Sequence, residues 1–163
     1  MAARKNIGDA TPAIVALQQA GVPFTAHQYD HDPRVASYGL EAAEVLGVDP
    51  DRVFKTLMVD VDGSLAVGIV PVSSSLDLKA VAAALDGKKA QMADPGRAQR
   101  ATGYVLGGIS PLGQKRPHPT ALDETAVLWP TVFVSGGRRG LDVELAPADL
   151  ERLISAVLAA IAR

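Results

Sequence analysis

The stretch Val53–Val70, VFKTLMVDVDGSLAVGIV, decides how this chain is read. Val53 to Val61 alternates apolar with polar residues and meets a second apolar run, Leu65 to Val70, across Asp62-Gly63. An Asp-Gly pair tolerates the positive φ angles that the tightest hairpin turns demand, so the stretch predicts a β-hairpin. Within it, Lys55 shares a face with Val53, Leu57 and Val59, which are expected core positions. A cation on that face is expensive unless it meets an anion or opens into a cleft. Two readings stay open at this point: a lysine snorkelling at a sheet end, or an ammonium that faces a ligand.

Outward from the hairpin, helices and strands are mixed. Thr11 is a good N-cap, Pro12 suits the first helical position and Gly21 ends a first helix with Ile14, Val15 and Leu17 on its apolar face. Val22 to Tyr29 reads as a strand, and Ser37 as the cap of a short helix that stops at Gly47. Leu76 to Leu85 predicts a helix capped from the preceding serine run, and Asp94-Pro95 opens another through about Ala101. Further strands are expected at Tyr104–Leu106, Val127–Leu128, Val132–Val134 and Leu141–Leu145. Leu150, Leu153, Ile154, Val157, Leu158 and Ile161 stand at helical spacing and predict a last helix from Pro147 to Ala162. There is no repeat and no strict βαβ rhythm, which argues against a doubly wound parallel sheet. The expected fold is mixed α/β, one domain over residues 1–163, with a curved sheet and packed helices.

The bulk numbers narrow the function classes. At 163 residues the chain can bury a core without staples. It has no cysteine, which removes disulfides, thiolate metal sites and a cysteine nucleophile together. A net charge of −2 argues against a general nucleic-acid coat, though a local basic patch can still read one RNA end. No apolar run approaches the ~20 residues of a membrane span, and the charged start MAARKNIGDATP has no apolar segment behind it to make a signal peptide. A cytoplasmic protein is expected.

The oddest segment is VLGGISPLGQKRPHP, Val105 to Pro119. Gly108 and Gly113 have the spacing of a phosphate-binding P-loop, but Gln114, Lys115 and Arg116 follow in place of Lys then Ser or Thr. Pro117 and Pro119 also forbid the helix that must come next. Nucleotide hydrolysis is a poor reading. Stacked glycine N–H groups can still form an oxyanion hole, or the loop is an ordinary turn. A second glycine cluster, VSGGRRGLDVEL, flanks Arg138 and Arg139 and leads into a strand in which Asp142 and Glu144 alternate with Leu141, Val143 and Leu145. By itself that pattern reads as a tight turn with a solvated acidic face. His27 and His31, with Asp30 and Asp32 nearby, make a weak metal case because the segment reads as strand and turn, and no metal is expected. No nucleophile elbow or Ser-x-x-Lys motif exists.

Taken together, VFKTLMV, MADP followed by AQRATGY, GGISPLGQK and VSGGRRGLDVEL, in this order, resemble the YbaK family of aminoacyl-tRNA deacylases, in the branch that acts on Cys-tRNA(Pro). The resemblance covers nearly the whole chain. It implies a mixed α/β domain around a partly closed β-barrel, related to the editing insertion of prolyl-tRNA synthetases, with no cofactor. It implies removal of a wrong amino acid from tRNA. Cysteine and proline are close in size, and a pocket separates near-isosteres by only about 1–3 kcal/mol, so a second sieve is needed.

The resemblance also implies roles. Lys55 stands at the family's essential lysine, toward the terminal ribose or phosphate and the ester. Gly107 and Gly108, with the backbone of Ile109 and Ser110, match the loop facing the ester carbonyl. Tyr29 and Asp142 match pocket residues, and Tyr38 stands where relatives usually carry Phe. Lys115 and Arg116, with Arg138 and Arg139, are expected at phosphates of the acceptor end of tRNA(Pro). In the cysteine-specific branch the substrate's own thiol attacks its ester, which fits a protein with no nucleophile machinery. The alternatives are a water-driven activity on Ala-tRNA(Pro) or other small aminoacyl-tRNAs, and a binding module without turnover. A monomer is expected, with prolyl-tRNA synthetase as a partner.

Overall fold

The hairpin is present, and two sheets are built out from it. The computed structural model describes residues 10–35 and 37–163; residues 1–9 of the N-terminal segment expected to lack a signal peptide lie outside them. Strand β2 (Phe54–Val61) pairs antiparallel with β3 (Ser64–Pro71), from Phe54↔Pro71 to Val61↔Ser64. Asp62 and Gly63 turn the chain at φ 51° and 94°, the positive pair that a two-residue hairpin loop requires. The Asp62 carboxylate accepts the Lys88 and Lys89 N–H groups. This ties the turn to β4 (Ala90–Met92), which pairs with the end of β2.

On the other side, β3 pairs in parallel with β5 (Thr120–Asp123), and β5 in parallel with β8 (Val157–Ala159). The five-stranded sheet therefore runs β4-β2-β3-β5-β8. A second, antiparallel sheet has β7 (Leu141–Leu145) between β1 (Phe24–Gln28) and β6 (Val132–Arg138). A parallel bridge from Val53 to Phe133 joins the sheets where β2 begins. They curve together without closing into a barrel, a mixed α/β fold as expected.

The helices follow their caps. In α1 (Pro12–Ala20) the Thr11 hydroxyl oxygen accepts the Ile14 N–H at 3.2 Å and the hydroxyl donates to the Gly136 carbonyl at 2.5 Å. One residue thus starts the helix and anchors it to β6. Ile14 and Leu17 are fully buried, each contributing roughly 1.5–3 kcal/mol. Helix α2 (Tyr38–Leu46) begins after Ser37, whose side chain makes no capping bond. Asp77, rather than the serine run, caps α3 (Leu78–Ala84). Asp94 and Pro95 open α4 (Pro95–Thr102).

Three expected elements and one expected face differ. The last helix, α5 (Pro147–Leu153), stops well short of Ala162. Ser155 takes φ 50°, and the chain continues as β8 against β5. There the Asp123 carboxylate accepts the N–H groups of Ile161 and Ala162, and Ile161 is fully buried. Pairing with β5 overrode the helical spacing. Val127 and Leu128 lie in a 3-10 turn (Glu124–Leu128), the strand being just upstream in β5. Tyr104–Leu106 is irregular, because Tyr104 spends its hydroxyl on the Leu112 carbonyl at 2.7 Å and so folds the loop onto itself. The acids of β7 face no solvent layer: β7 is the central strand, Asp142 is 6% exposed, and Glu144 bonds Thr131, His27 and Arg52.

Candidate active site

Successive residues of β2 feed different clusters. Phe54 and Met58 enter the main core with Val67, Ile69 and Leu122, while Val53 packs with Ala42, Ala43, Val72 and Phe133. Where these regions part, a cavity of about 420 Å³ opens along the first half of β2. Tyr29, the start of α2, the loop at Leu106–Ile109, the end of β6 and one face of α4 complete its walls.

Lys55 lines this cavity, half-buried. Burial alone pushes its pKa down, and among the described residues no carboxylate pairs with it. The snorkelling reading gives way to a cation that faces an enclosed space. Asp142 lines the same cavity, and burial pushes its carboxyl up to about 7. It therefore changes charge near neutral pH. Burial, then the charges of Asp142 and Glu41, drive the Tyr29 phenol above its ordinary value, so its hydroxyl keeps its proton and remains a donor.

The glycine loop is held by close contacts. Gly107 takes φ 83°, and a Cβ there would lie 2.6 Å from Tyr38 Cε2 and 2.8 Å from Arg139 Nε. Arg139 lies over the Tyr38 ring and donates from Nε and Nη2 to the Leu106 carbonyl at 3.0 and 2.7 Å. Tyr38 rests against His31 with ring centroids 5.0 Å apart, and His31 Nδ1 bonds Glu41 Oε1 at 2.7 Å. Burial works to raise the Glu41 pKa, yet the bonds from His31 and the Asp32 N–H hold it below the ordinary value. A buried carboxylate thus anchors a stack that ends on the Gly107 backbone.

Gly108 has a different part. Its N–H donates to the Val105 carbonyl at 3.0 Å, and a Cβ would stand 2.8 Å from Arg138 Cα. It lets two backbones touch and keeps no free donor. Ser110 is fully buried away from the cavity, its hydroxyl oxygen accepting the Leu112 N–H at 3.1 Å. Gly107 lines the cavity, and its N–H has no partner among the described residues.

Of the residues singled out by sequence, the cavity brings together Tyr29, Tyr38, Lys55, Gly107, Ile109, Arg138 and Asp142. It does not include Gly108, Ser110, Lys115, Arg116 or Arg139. Sequence reading missed Thr56 and Ser135, which also line it. Thr56 carries a buried hydroxyl with no partner. Strict alternation would turn it away from Lys55, and only the opening of the cavity around β2 exposes both. His27 and His31 engage different acids, Glu144 and Glu41, while His118 bonds Gln114. None of the three lines the cavity, so the hydroxyls there have no imidazole base.

Comparison with known proteins gives the family and the fold. Residues 32–153 match the model of the aminoacyl-tRNA editing domain. Over 160 residues the chain is 34% identical to an Enterococcus faecalis protein, EbsC, named for Cys-tRNA(Pro)/Cys-tRNA(Cys) deacylase activity; the match covers 98% of this chain and 97% of that one. A crystal structure described as a trans-editing enzyme for prolyl tRNA synthetase superposes with a TM-score of 0.84 at 24% identity, covering 96% of this chain and 98% of the other. The hypothetical protein APE2540 superposes at 0.83 with 23% identity, covering 94% and 100%. These two share the fold. The family match and the curated relative, both spanning most of the chain, show that it belongs to the aminoacyl-tRNA editing family, a family of aminoacyl-tRNA deacylases.

Proposed function

We propose that this protein is a trans-editing deacylase that removes cysteine mischarged onto tRNA(Pro), with Cys-tRNA(Cys) as a second substrate. The observation that carries the reading is what surrounds the cavity: the unpaired Lys55 ammonium, the Gly107 amide and buried Asp142, with no activated nucleophile of the protein's own. The name of the E. faecalis relative supports the same substrate.

In this reading Lys55 and Arg138 meet the ribose-phosphate side of the ester. Ionised Asp142 receives the α-ammonium, and Tyr29, Tyr38 and Ile109 form the wall around the side chain. The substrate's thiolate attacks the ester carbon, a C–S bond forms, and the oxyanion accepts the Gly107 N–H. As it collapses, the C–O bond to the ribose breaks and the ribose oxygen takes up the proton given up by the thiol. The products are a cyclic thiolactone, later opened by water, and free tRNA. Holding sulfur against carbon replaces a bimolecular encounter, and one placed oxyanion donor is worth about 3 kcal/mol. Gly108 and Ser110 shape the loop without touching substrate. The protein acts in the cytoplasm as a monomer, beside prolyl-tRNA synthetase.

A second reading has an observation of its own. A carboxyl poised at about 7 inside the cavity can serve as a base for water, which would release alanine or serine as readily as cysteine. Amino-acid release from Cys-, Ala- and Ser-tRNA(Pro) separates the two. Loss of cysteine alone supports thiol-assisted editing, and equal loss of all three transfers the chemistry to water. Binding of each tRNA with no release would leave a binding module.

A further inference from the structure

Helix α4 has a second face. Pro95 and Ala98 line the active-site cavity, while Arg97, Arg100 and Ala101 line a separate open groove of about 460 Å³. Arg116, His118 and the β2–β3 turn at Gly63–Leu65 complete that groove. Three arginines and no carboxylate line it, in a chain whose net charge is −2.

The arginines are differently placed. Arg97 is fixed, with Nη1 on Asp60 Oδ2 at 2.6 Å and Nη2 on the Gly63 carbonyl at 2.9 Å. The Arg100 and Arg116 side chains are exposed and make no hydrogen bond or ion pair with any described residue. His118 Nδ1 is held by Gln114 Oε1 at 2.8 Å, which fixes the ring in the groove wall. Two unpaired guanidinium forks beside a fixed third suit a chain of phosphates, which they can grip in bidentate fashion.

We infer that this groove is the track for the phosphodiester backbone of the RNA whose 3′ end enters the cavity, with Arg100 and Arg116 as its phosphate contacts. The inference rests on the reading of the cavity as an aminoacyl-tRNA site. The two sites share α4 as their wall, and a helix with side chains is about 10–12 Å across. At ~3.4 Å of rise per nucleotide in a stacked strand, about three nucleotides cross it. The groove therefore meets the strand about three nucleotides behind its 3′ end, and its arginine lining offers contacts to phosphate rather than to bases.

The test is direct binding of uncharged tRNA(Pro) to wild type, R100A/R116A and R100K/R116K, by fluorescence anisotropy across a salt series. Both side chains are solvent-exposed and unpartnered, so the fold is not at risk. The double alanine variant should bind on the order of tenfold more weakly, with the log–log salt slope reduced by about 1–2, and the lysine variant should recover most of both. Unchanged affinity and slope in R100A/R116A would overturn the inference and point the groove toward an acidic protein partner. The two readings fail separately. Normal deacylation with unchanged tRNA binding removes the groove alone, whereas weakened binding in a protein that never deacylates removes the enzyme reading and leaves the groove.

Discussion

The Arg139 guanidinium carbon lies 4.8 Å from the centre of the Tyr38 ring, and the same side chain donates two hydrogen bonds to the Leu106 carbonyl. These contacts support a positioning role for Arg139 at Gly107, beside the tRNA-phosphate role expected from the sequence. Replacing it with alanine removes a cation–π contact worth about 0.5–1 kcal/mol and frees the loop. Arg139→Ala should lower kcat/KM on aminoacyl-tRNA about tenfold with little change in Tm. Arg139→Lys keeps the charge but not the fork and should not rescue. Rescue by lysine, read as kcat/KM, would assign Arg139 to phosphate instead.

Tyr38 contributes its ring, packed between His31 and Arg139. Tyr38→Phe should therefore deacylate at close to the wild-type rate, while Tyr38→Ala should resemble Arg139→Ala. A large loss in the phenylalanine variant would make the hydroxyl a substrate contact.

Gly107 and Gly21 both have positive φ, but only Gly107 is crowded. Gly107→Ala meets Tyr38 and Arg139 and displaces the free N–H, so activity should fall about a hundredfold, the scale of losing one oxyanion donor. Gly21→Ala, with open space around it, should cost about 1 kcal/mol of stability and leave activity intact. Circular dichroism melts with rates for both variants check the contrast.

Much of this was legible in the sequence, and the rest was hidden for physical reasons. Asp62-Gly63 marked its hairpin because turn chemistry is local, and Thr11, Asp94 and Gly21 marked helix ends for the same reason. Lys55 stood out because a cation broke an apolar face. The Val157–Ala159 strand was hidden, since Leu158 and Ile161 stand three apart and fit the helical period, and only pairing with β5 overrides it. Asp142 looked like a solvent residue, yet it is buried in the central strand of its sheet and lines a cavity shared with α2 and β6. Thr56 and Ser135 carried no signal, because their place at the cavity depends on how two sheets meet.

Asp142 couples stability to pH. Its folded pKa, about 7, lies above the unfolded value of 3.8, so the folded state holds the extra proton between those values and stability falls as pH rises through them. Three units correspond to on the order of 4 kcal/mol. Asp142→Asn should be the more stable protein at pH 8, with the advantage shrinking toward pH 4. Its kcat/KM should lose the wild-type rise near pH 7, if the ionised form anchors substrate. Parallel urea melts and pH–rate profiles measure both, and an unchanged rate limb in the asparagine variant would detach Asp142 from the reaction.

Lys55 shifts in the opposite sense. Its pKa is lowered by burial, so the unfolded chain holds the extra proton between the folded value and 10.5, and stability rises with pH across that window. Lys55→Met should therefore be at least as stable as wild type at pH 7 while losing deacylation by about a hundredfold or more. A destabilised but active Lys55→Met would make the lysine structural.

Whether the substrate's own thiol cleaves the ester is decided by a single pair of substrates. Cysteinyl-tRNA(Pro) and S-methylcysteinyl-tRNA(Pro) differ only in whether the sulfur can attack. Thiol attack predicts rapid release of cysteine and essentially no release of the S-methyl analogue, although both bind. Equal release of the two would contradict it, and would place a water molecule where the account places sulfur.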